Sequence, residues 1–310
     1  VTYGFVFPGQ GSQEIGMLGD FVQSEPVVRD CVAEAEAAAG LALSQLMREG
    51  PAAELNRTGN TQPVLLTASI ALWRLWLSRG GRPPVVMAGH SLGEYSALVA
   101  AGALDFAEAV RLVGVRGELM QAAVPSGAGG MAAVLGLDEA QVTECCSAVD
   151  GVVSAANINA PGQIVIAGTA AAVAAASERC LAAGASRAIK LEVSVPSHCS
   201  LMLPAAERFA DAIAKVRVTA PAIPVIHNVD AAATTDADQI RRNLIAQLSQ
   251  PVRWIQCVEV MVRYGAATFV ECGPGKVLGG MIRRIDRSTV NVALGTRAAF
   301  DAAIAGVARG

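Results

Sequence analysis

Short apolar runs alternate with longer stretches rich in Ala and Leu along this chain. The runs Phe5 to Phe7, Val85 to Ala88, Val225 to Val229 and Thr268 to Glu271 predict strands buried on both faces, and the stretches between them predict helices. Buried strands that alternate with helices point to an α/β fold with a mainly parallel sheet. The most apolar stretch, Val64 to Leu77, is interrupted by Thr67, Ser69 and Arg74, which predicts a buried helix rather than a membrane span.

One region follows a different order. Met131 to Leu137 reads as a strand, Asp138 to Val149 as a helix, and Val152 to Asn157 and Ile164 to Gly168 as two strands joined by a turn at Ala160-Pro161-Gly162. Ala170 to Ala183 is helical and stops at Gly184, and Arg187 to Val195 alternates as a strand. The order βαββαβ is the ferredoxin-like arrangement. Its entry, Val124 to Gly130, holds three Gly, one Pro and one Ser and suits a hinge. The expected organisation is therefore a large α/β domain from residues 1–125 and 195–310, with an inserted small subdomain at 126–194.

Composition narrows the function classes. The chain has 310 residues, of which 53% are hydrophobic and 16% charged, so it has ample material for a core. A net charge of −3 with 4% aromatics gives neither the basic footprint nor the stacking platforms of a nucleic-acid binder. Seven Cys without a C-x-x-C, and three His in all, fit neither a disulfide framework nor a zinc site. Most of the cysteines are expected to be buried small hydrophobes in a reducing compartment, by default the cytoplasm. No basic segment precedes an apolar run near Tyr3, so no secretory leader is expected.

The chemistry starts at Gly89-His90-Ser91-Leu92-Gly93, a G-x-S-x-G between the strand Val85 to Ala88 and the helical run Glu94 to Ala101. That is the strand–turn–helix context of a nucleophile elbow. Side chains at Gly89 or Gly93 would strike the neighbouring strand and helix, and the helix N-terminus offers free N–H groups to a developing oxyanion. In isolation the motif could arise by chance in a chain this rich in Gly and Ala. Ser91 needs a base. His90 adjoins it but points elsewhere along the turn, and His227 falls inside a predicted strand. His198 follows Val195-Pro196-Ser197 at a strand end, where open α/β sheets gather their catalytic groups, and position favours it over the other two.

Phe7-Pro8-Gly9-Gln10-Gly11-Ser12-Gln13, the elbow through Glu94, and Val195-Pro196-Ser197-His198 resemble the malonyl-CoA:acyl carrier protein transacylase family, the loading enzymes of bacterial type II fatty-acid synthesis. Gln247-Leu248-Ser249-Gln250-Pro251-Val252 and Gly273-Pro274-Gly275-Lys276-Val277-Leu278 extend the likeness nearly end to end. The expected fold class is then an α/β-hydrolase-like parallel-sheet core with the ferredoxin-like insert. The resemblance implies Ser91 as nucleophile, His198 as base, and the backbone N–H groups of Gln10 and Leu92 as the oxyanion hole. It also implies that a backbone carbonyl, at Gln247, orients the histidine. From the residues alone, Gln10 and Gln247 are ordinary loop and helix polarity.

Arg116 lies on a helix predicted over Asp105 to Val124, which opens with an Asp105-x-x-Glu108 capping box. Its neighbours at three and four residues, Leu112, Val113, Leu119 and Met120, are all apolar. A snorkelling arginine or a structural ion pair explains this as well as a binding role does. The resemblance implies that Arg116 grips the free carboxylate of a malonyl group, with Gln247 beside it as a substrate-binding residue. It also implies two substrates, malonyl-CoA and a transiently bound phosphopantetheinyl acyl carrier protein, and no metal or redox cofactor.

The Gly273 to Lys276 turn lacks the spacing of a phosphate loop. The cluster Arg283, Arg284 and Arg287 suits a solvated helix face, with docking of an acidic carrier as the alternative. Two rival functions remain. One is a malonyl transferase of a polyketide or malonate decarboxylase pathway. The other is a serine esterase using His227 with Asp138, Asp150 or Glu192, which would leave Arg116 unexplained.

Overall fold

The computed structural model describes residues 2–193 and 195–307. Val1, Ser194 and residues 308–310 lie outside it, and with them the outermost positions of the expected segments. The chain opens with β1 (Tyr3–Phe7) and then α1 (Gly19–Ser24), α2 (Pro26–Ala39), α3 (Leu43–Glu49), α4 (Ala52–Leu55) and α5 (Thr58–Ser78). Next come β2 (Val86–Gly89), α6 (Leu92–Ala100) and α7 (Phe106–Ala122). The middle of the chain forms β3 (Gly129–Leu135), α8 (Glu139–Ser147), β4 (Val153–Ala160), β5 (Gln163–Thr169), α9 (Ala170–Ala182) and β6 (Arg187–Lys190). The last third holds α10 (Leu203–Ile213), β7 (Val225–Ile226), α11 (Ala237–Ala246), α12 (Trp254–Arg263), β8 (Thr268–Glu271), α13 (Val277–Ile285), β9 (Val290–Ala293) and α14 (Arg297–Val307).

Two sheets result. One has the order β7-β2-β1-β8-β9 and is parallel throughout. The other has the order β4-β5-β3-β6 and is antiparallel throughout. The chain is thus an α/β fold with a parallel sheet and a separate antiparallel one. In the parallel sheet β1 is flanked by β2 on one side and β8 on the other. The connection from β1 leads to β2 and that from β8 leads to β9, in opposite directions, so the switch point where open α/β sheets leave a crevice lies between β1 and β8.

Local chemistry explains the helix starts. Asp105 caps α7 by accepting from the Glu108 N–H at 2.9 Å, Asp138 and Gln141 form a reciprocal capping box on α8, and Thr169 caps α9. Helix α5 is apolar on nearly every face and buried along most of its length, packed against α2, α6 and α7. No helix among the described residues is long and apolar enough to cross a membrane. All seven cysteines are buried and unpaired.

Three elements depart from expectation. The strand expected over 187–195 ends at Lys190. Leu191 and Val193 keep the alternation because one side of the segment faces a cleft rather than a neighbouring strand. The strand expected over 225–229 ends at Ile226, because His227 and Asn228 turn inward to bond Glu94. β9 has only four residues, half-buried at the sheet edge, and carried too little pattern to be recognised.

The antiparallel sheet is fastened to the rest at β4. Ile158 N–H donates to Val252 O at 2.9 Å, Val252 N–H donates to Ala156 O at 2.9 Å, and Arg284 reaches Gln163 Oε1 and Pro161 O. Arg283 and Arg287 line a shallow hollow beside it.

Candidate active site

The turn between β2 and α6 is built as the steric reading requires. A Cβ on Gly89 would fall on the backbone of Gly93, and one on Gly93 would fall on Phe7 O. A Cβ on Gly9 would fall on His90 O, so the loop after β1 also needs glycine to approach the elbow. Ser91 takes φ 51° and ψ −109°, a conformation that costs about 1–3 kcal/mol unless its surroundings enforce it. They do so here from both sides of the residue. Asn228 Oδ1 accepts from Ser91 N–H at 2.8 Å, and Gln247 Nε2 donates to Ser91 O at 3.1 Å.

Above the turn, Ser91 Oγ lies 2.8 Å from His198 Nε2. His198 Nδ1 donates to Gln247 O at 2.7 Å, which fixes the tautomer and leaves Nε2 as the acceptor. The histidine is buried, and burial first, then the nearby Arg116 charge, push its pKa down to about 3, against partial support from the Gln247 carbonyl. His198 is therefore neutral at physiological pH. A base works only while neutral, and that form disappears as pH falls through the pKa. If His198 serves as the base for Ser91, the acid limb of kcat/KM should lie well below 6.5, the ordinary histidine value. A pH–rate profile checks this, and an apparent pKa near 6.5 would contradict it.

Arg116 is 1% exposed and yet lines the cleft. Its NH1 donates to Gln62 Oε1 at 2.9 Å, and its NH2 to Gln247 Oε1 at 3.0 Å and Ser91 Oγ at 3.3 Å. The Tyr95 ring lies 5.3 Å from its Cζ. Its Nε has no partner, and no carboxylate comes within ion-pair distance of it among the described residues. Burial lowers its pKa, but a guanidinium remains charged. Buried charges are normally paired, so this cation awaits an anion.

The cleft, about 210 Å³, opens between the two sheets. Gln10, Ser91, Leu92, Arg116 and His198 line it from one side, and Met131, Asn157 and Val193 from the other. Leu92 is the first residue of α6, so its N–H has no intrahelical acceptor. Ser91, His198, Arg116, Gln10 and Leu92 therefore meet in one place. Gln247, expected to bind substrate, does not line the cleft. It is fully buried behind Ser91 and acts through its carbonyl on His198 and through its side chain on Arg116.

The other histidines are committed elsewhere. His90 Nε2 pairs with Asn159 Oδ1 at 2.8 Å, and the ring lies edge-on to Trp254. His227 Nδ1 pairs with Glu94 at 2.7 Å. Burial lowers the His227 pKa, but the Glu94 charge and hydrogen bond outweigh this and raise it. The esterase grouping of His227 with Asp138, Asp150 or Glu192 is not assembled.

The acyl transferase domain family matches residues 4–304. The chain belongs to this acyl transferase family. A malonyl CoA-acyl carrier protein transacylase from Salmonella typhimurium is 53% identical over 304 residues, covering 97% of this chain and 98% of that one. The structure of an acyl carrier protein S-malonyltransferase from Vibrio cholerae superposes with a TM-score of 0.95 at 50% identity, over 97% of this chain and 99% of that one. A malonyl-transacylase solved in complex with a type II PKS acyl-carrier protein superposes with a TM-score of 0.97 at 47% identity, over 99% and 100% of the two chains. Within this acyl transferase, sequence reasoning passed over Gln62, Glu94, Asn159 and Asn228. Glu94 adjoins the elbow motif, which was a usable signal; the other three carried none until the fold brought them in.

Proposed function

We propose that the chain transfers a malonyl group from malonyl-CoA to the phosphopantetheine thiol of an acyl carrier protein, through a malonyl ester on Ser91. The observation that carries this reading is the buried, unpaired Arg116 cation beside the Ser91–His198 pair, supported by the relatives' activity.

In the first half-reaction His198 Nε2 takes the Ser91 proton as Oγ attacks the thioester carbonyl. The oxyanion is held by the N–H groups of Gln10 and Leu92. Such a donor is typically worth about 10²–10³ in rate. The C–S bond breaks, and the proton on His198 passes to the departing CoA sulfur. In the second half-reaction His198 takes the proton of the carrier thiol, whose sulfur attacks the ester. The C–Oγ bond breaks and Ser91 regains its proton. Arg116 holds the malonyl carboxylate throughout.

On the same footing, residues 1–125 and 195–310 form an α/β-hydrolase-like domain and 126–194 a ferredoxin-like insert. The strand order β4-β5-β3-β6 supports the latter description. The carrier serves fatty-acid synthesis. A polyketide carrier is the second reading, favoured by the relative solved with one.

Transfer from labelled malonyl-CoA to a panel of carrier proteins tests the function. Label should reach carriers bearing phosphopantetheine and not the same carriers without it. Hydrolysis of malonyl-CoA without transfer to any carrier would contradict the proposal.

A further inference from the structure

Beneath the elbow, three donors converge on the two oxygens of one buried carboxylate. His227 Nδ1 reaches Glu94 at 2.7 Å, the Asn228 N–H at 2.9 Å and Gln247 Nε2 at 2.8 Å. All four residues are fully or almost fully buried, and none lines the cleft. Two of the three donors belong to side chains or segments that continue toward the reacting groups. Asn228 holds Ser91 N–H and Gly89 O with its amide, and Gln247 holds Ser91 O and Arg116.

An amide has one accepting end and one donating end, whereas an ionised carboxylate only accepts. Glu94 therefore requires the NH2 end of Gln247, and the Gln247 oxygen is left to face Arg116. Turned the other way, Gln247 would set its oxygen against a carboxylate and its NH2 against a guanidinium. The neutrality of Gln247 matters as much as its direction. A glutamate there would also orient Arg116, but it would give the cation a permanent partner and leave nothing for a substrate carboxylate.

We propose that Glu94 is a positioning residue for substrate selection: by fixing the direction of the Gln247 amide, it aims the Arg116 guanidinium into the cleft while leaving that charge free for the acyl carboxylate. This rests on the reading of Arg116 as the carboxylate clamp. Glu94 touches neither substrate nor reacting atoms. It aims Arg116 through Gln247, and through the Asn228 N–H it also braces the segment that holds Ser91 N–H.

The test compares rates of Ser91 acylation by malonyl-CoA and by acetyl-CoA, followed by rapid quench and intact mass, in wild type, Glu94→Gln, Glu94→Asp and Gln247→Glu. A glutamine at 94 offers one accepting oxygen to three donors, and its own NH2 opposes one of them. The Asn228 donor is backbone, so the Gln247 amide is the group free to turn. The malonyl-over-acetyl ratio should fall roughly tenfold or more in Glu94→Gln, the scale of a lost charged hydrogen bond. Glu94→Asp, which keeps two accepting oxygens, should retain more of the ratio. Gln247→Glu should lose malonyl acylation by roughly a hundredfold and acetyl acylation far less.

Equal losses toward both thioesters in Glu94→Gln would mark a merely structural role and overturn the proposal, as would an unchanged ratio in that variant. If Glu94→Gln shows no cooperative thermal transition, Gln247→Glu decides alone, and equal losses there overturn it. A wild-type protein without any preference for malonyl-CoA would overturn the function proposed above rather than the role of Glu94.

Discussion

His198→Ala should slow malonyl acylation by roughly 10²–10⁴, the usual worth of a positioned general base. The ring is the group at 2.8 Å from Ser91 Oγ, and its other nitrogen is already committed to the Gln247 carbonyl. No second histidine can substitute for it, since His90 is bonded to Asn159 and His227 to Glu94. His227→Ala should cost far less in acylation, with its main effect on stability, because it leaves a buried carboxylate short of one donor. Single-turnover acylation measured beside thermal denaturation separates the two variants. The reverse ranking would favour the esterase grouping.

Arg116→Ala should reduce acylation by malonyl-CoA by about 3–4 kcal/mol, or roughly 10²–10³ in rate, the scale expected when one partner of a buried charge pair is removed. Acetyl-CoA should lose much less. Its methyl group brings no carboxylate, and in the wild-type cleft it leaves a buried cation without an anion, a penalty that the variant lacks. Selectivity therefore works largely by burdening the wrong substrate. The same substitution removes a positive charge that faces His198. The histidine pKa should then rise, and the acid limb of the rate profile should move to higher pH. A selectivity that survives Arg116→Ala would contradict the clamp.

The parts of this molecule that could be read from its sequence are those whose physics is local. The elbow was legible because G-x-S-x-G between a strand and a helix is a compact pattern in which Gly89 makes room for Gly93, although Gly93 itself is demanded by the distant Phe7 carbonyl, and the caps at Asp105 and Asp138 because a carboxylate three residues from an N–H is a short-range device. Arg116 was visible as an anomaly, a charge on an apolar helix face, but only the fold shows that Gln62, Gln247 and Ser91 surround it without an anion. The polar layer of Glu94, Asn228 and Gln247 was hidden for the same reason, with Gln247 alone singled out, through the family resemblance. Its members stand more than 130 residues apart in part, and each is an unremarkable polar side chain until the parallel sheet stacks them under Ser91. Leu191 and Val193 misled because a segment facing a cleft on one side alternates just as a strand does.

Intact-mass analysis with peptide mapping, after brief exposure to malonyl-CoA, bears on the chemistry most directly. One malonyl group should add to the protein, it should map to the peptide that contains Ser91, and Ser91→Ala should stay unlabelled. A malonyl group found on another residue, or labelling that persists in Ser91→Ala, would contradict the assignment of Ser91 as the nucleophile.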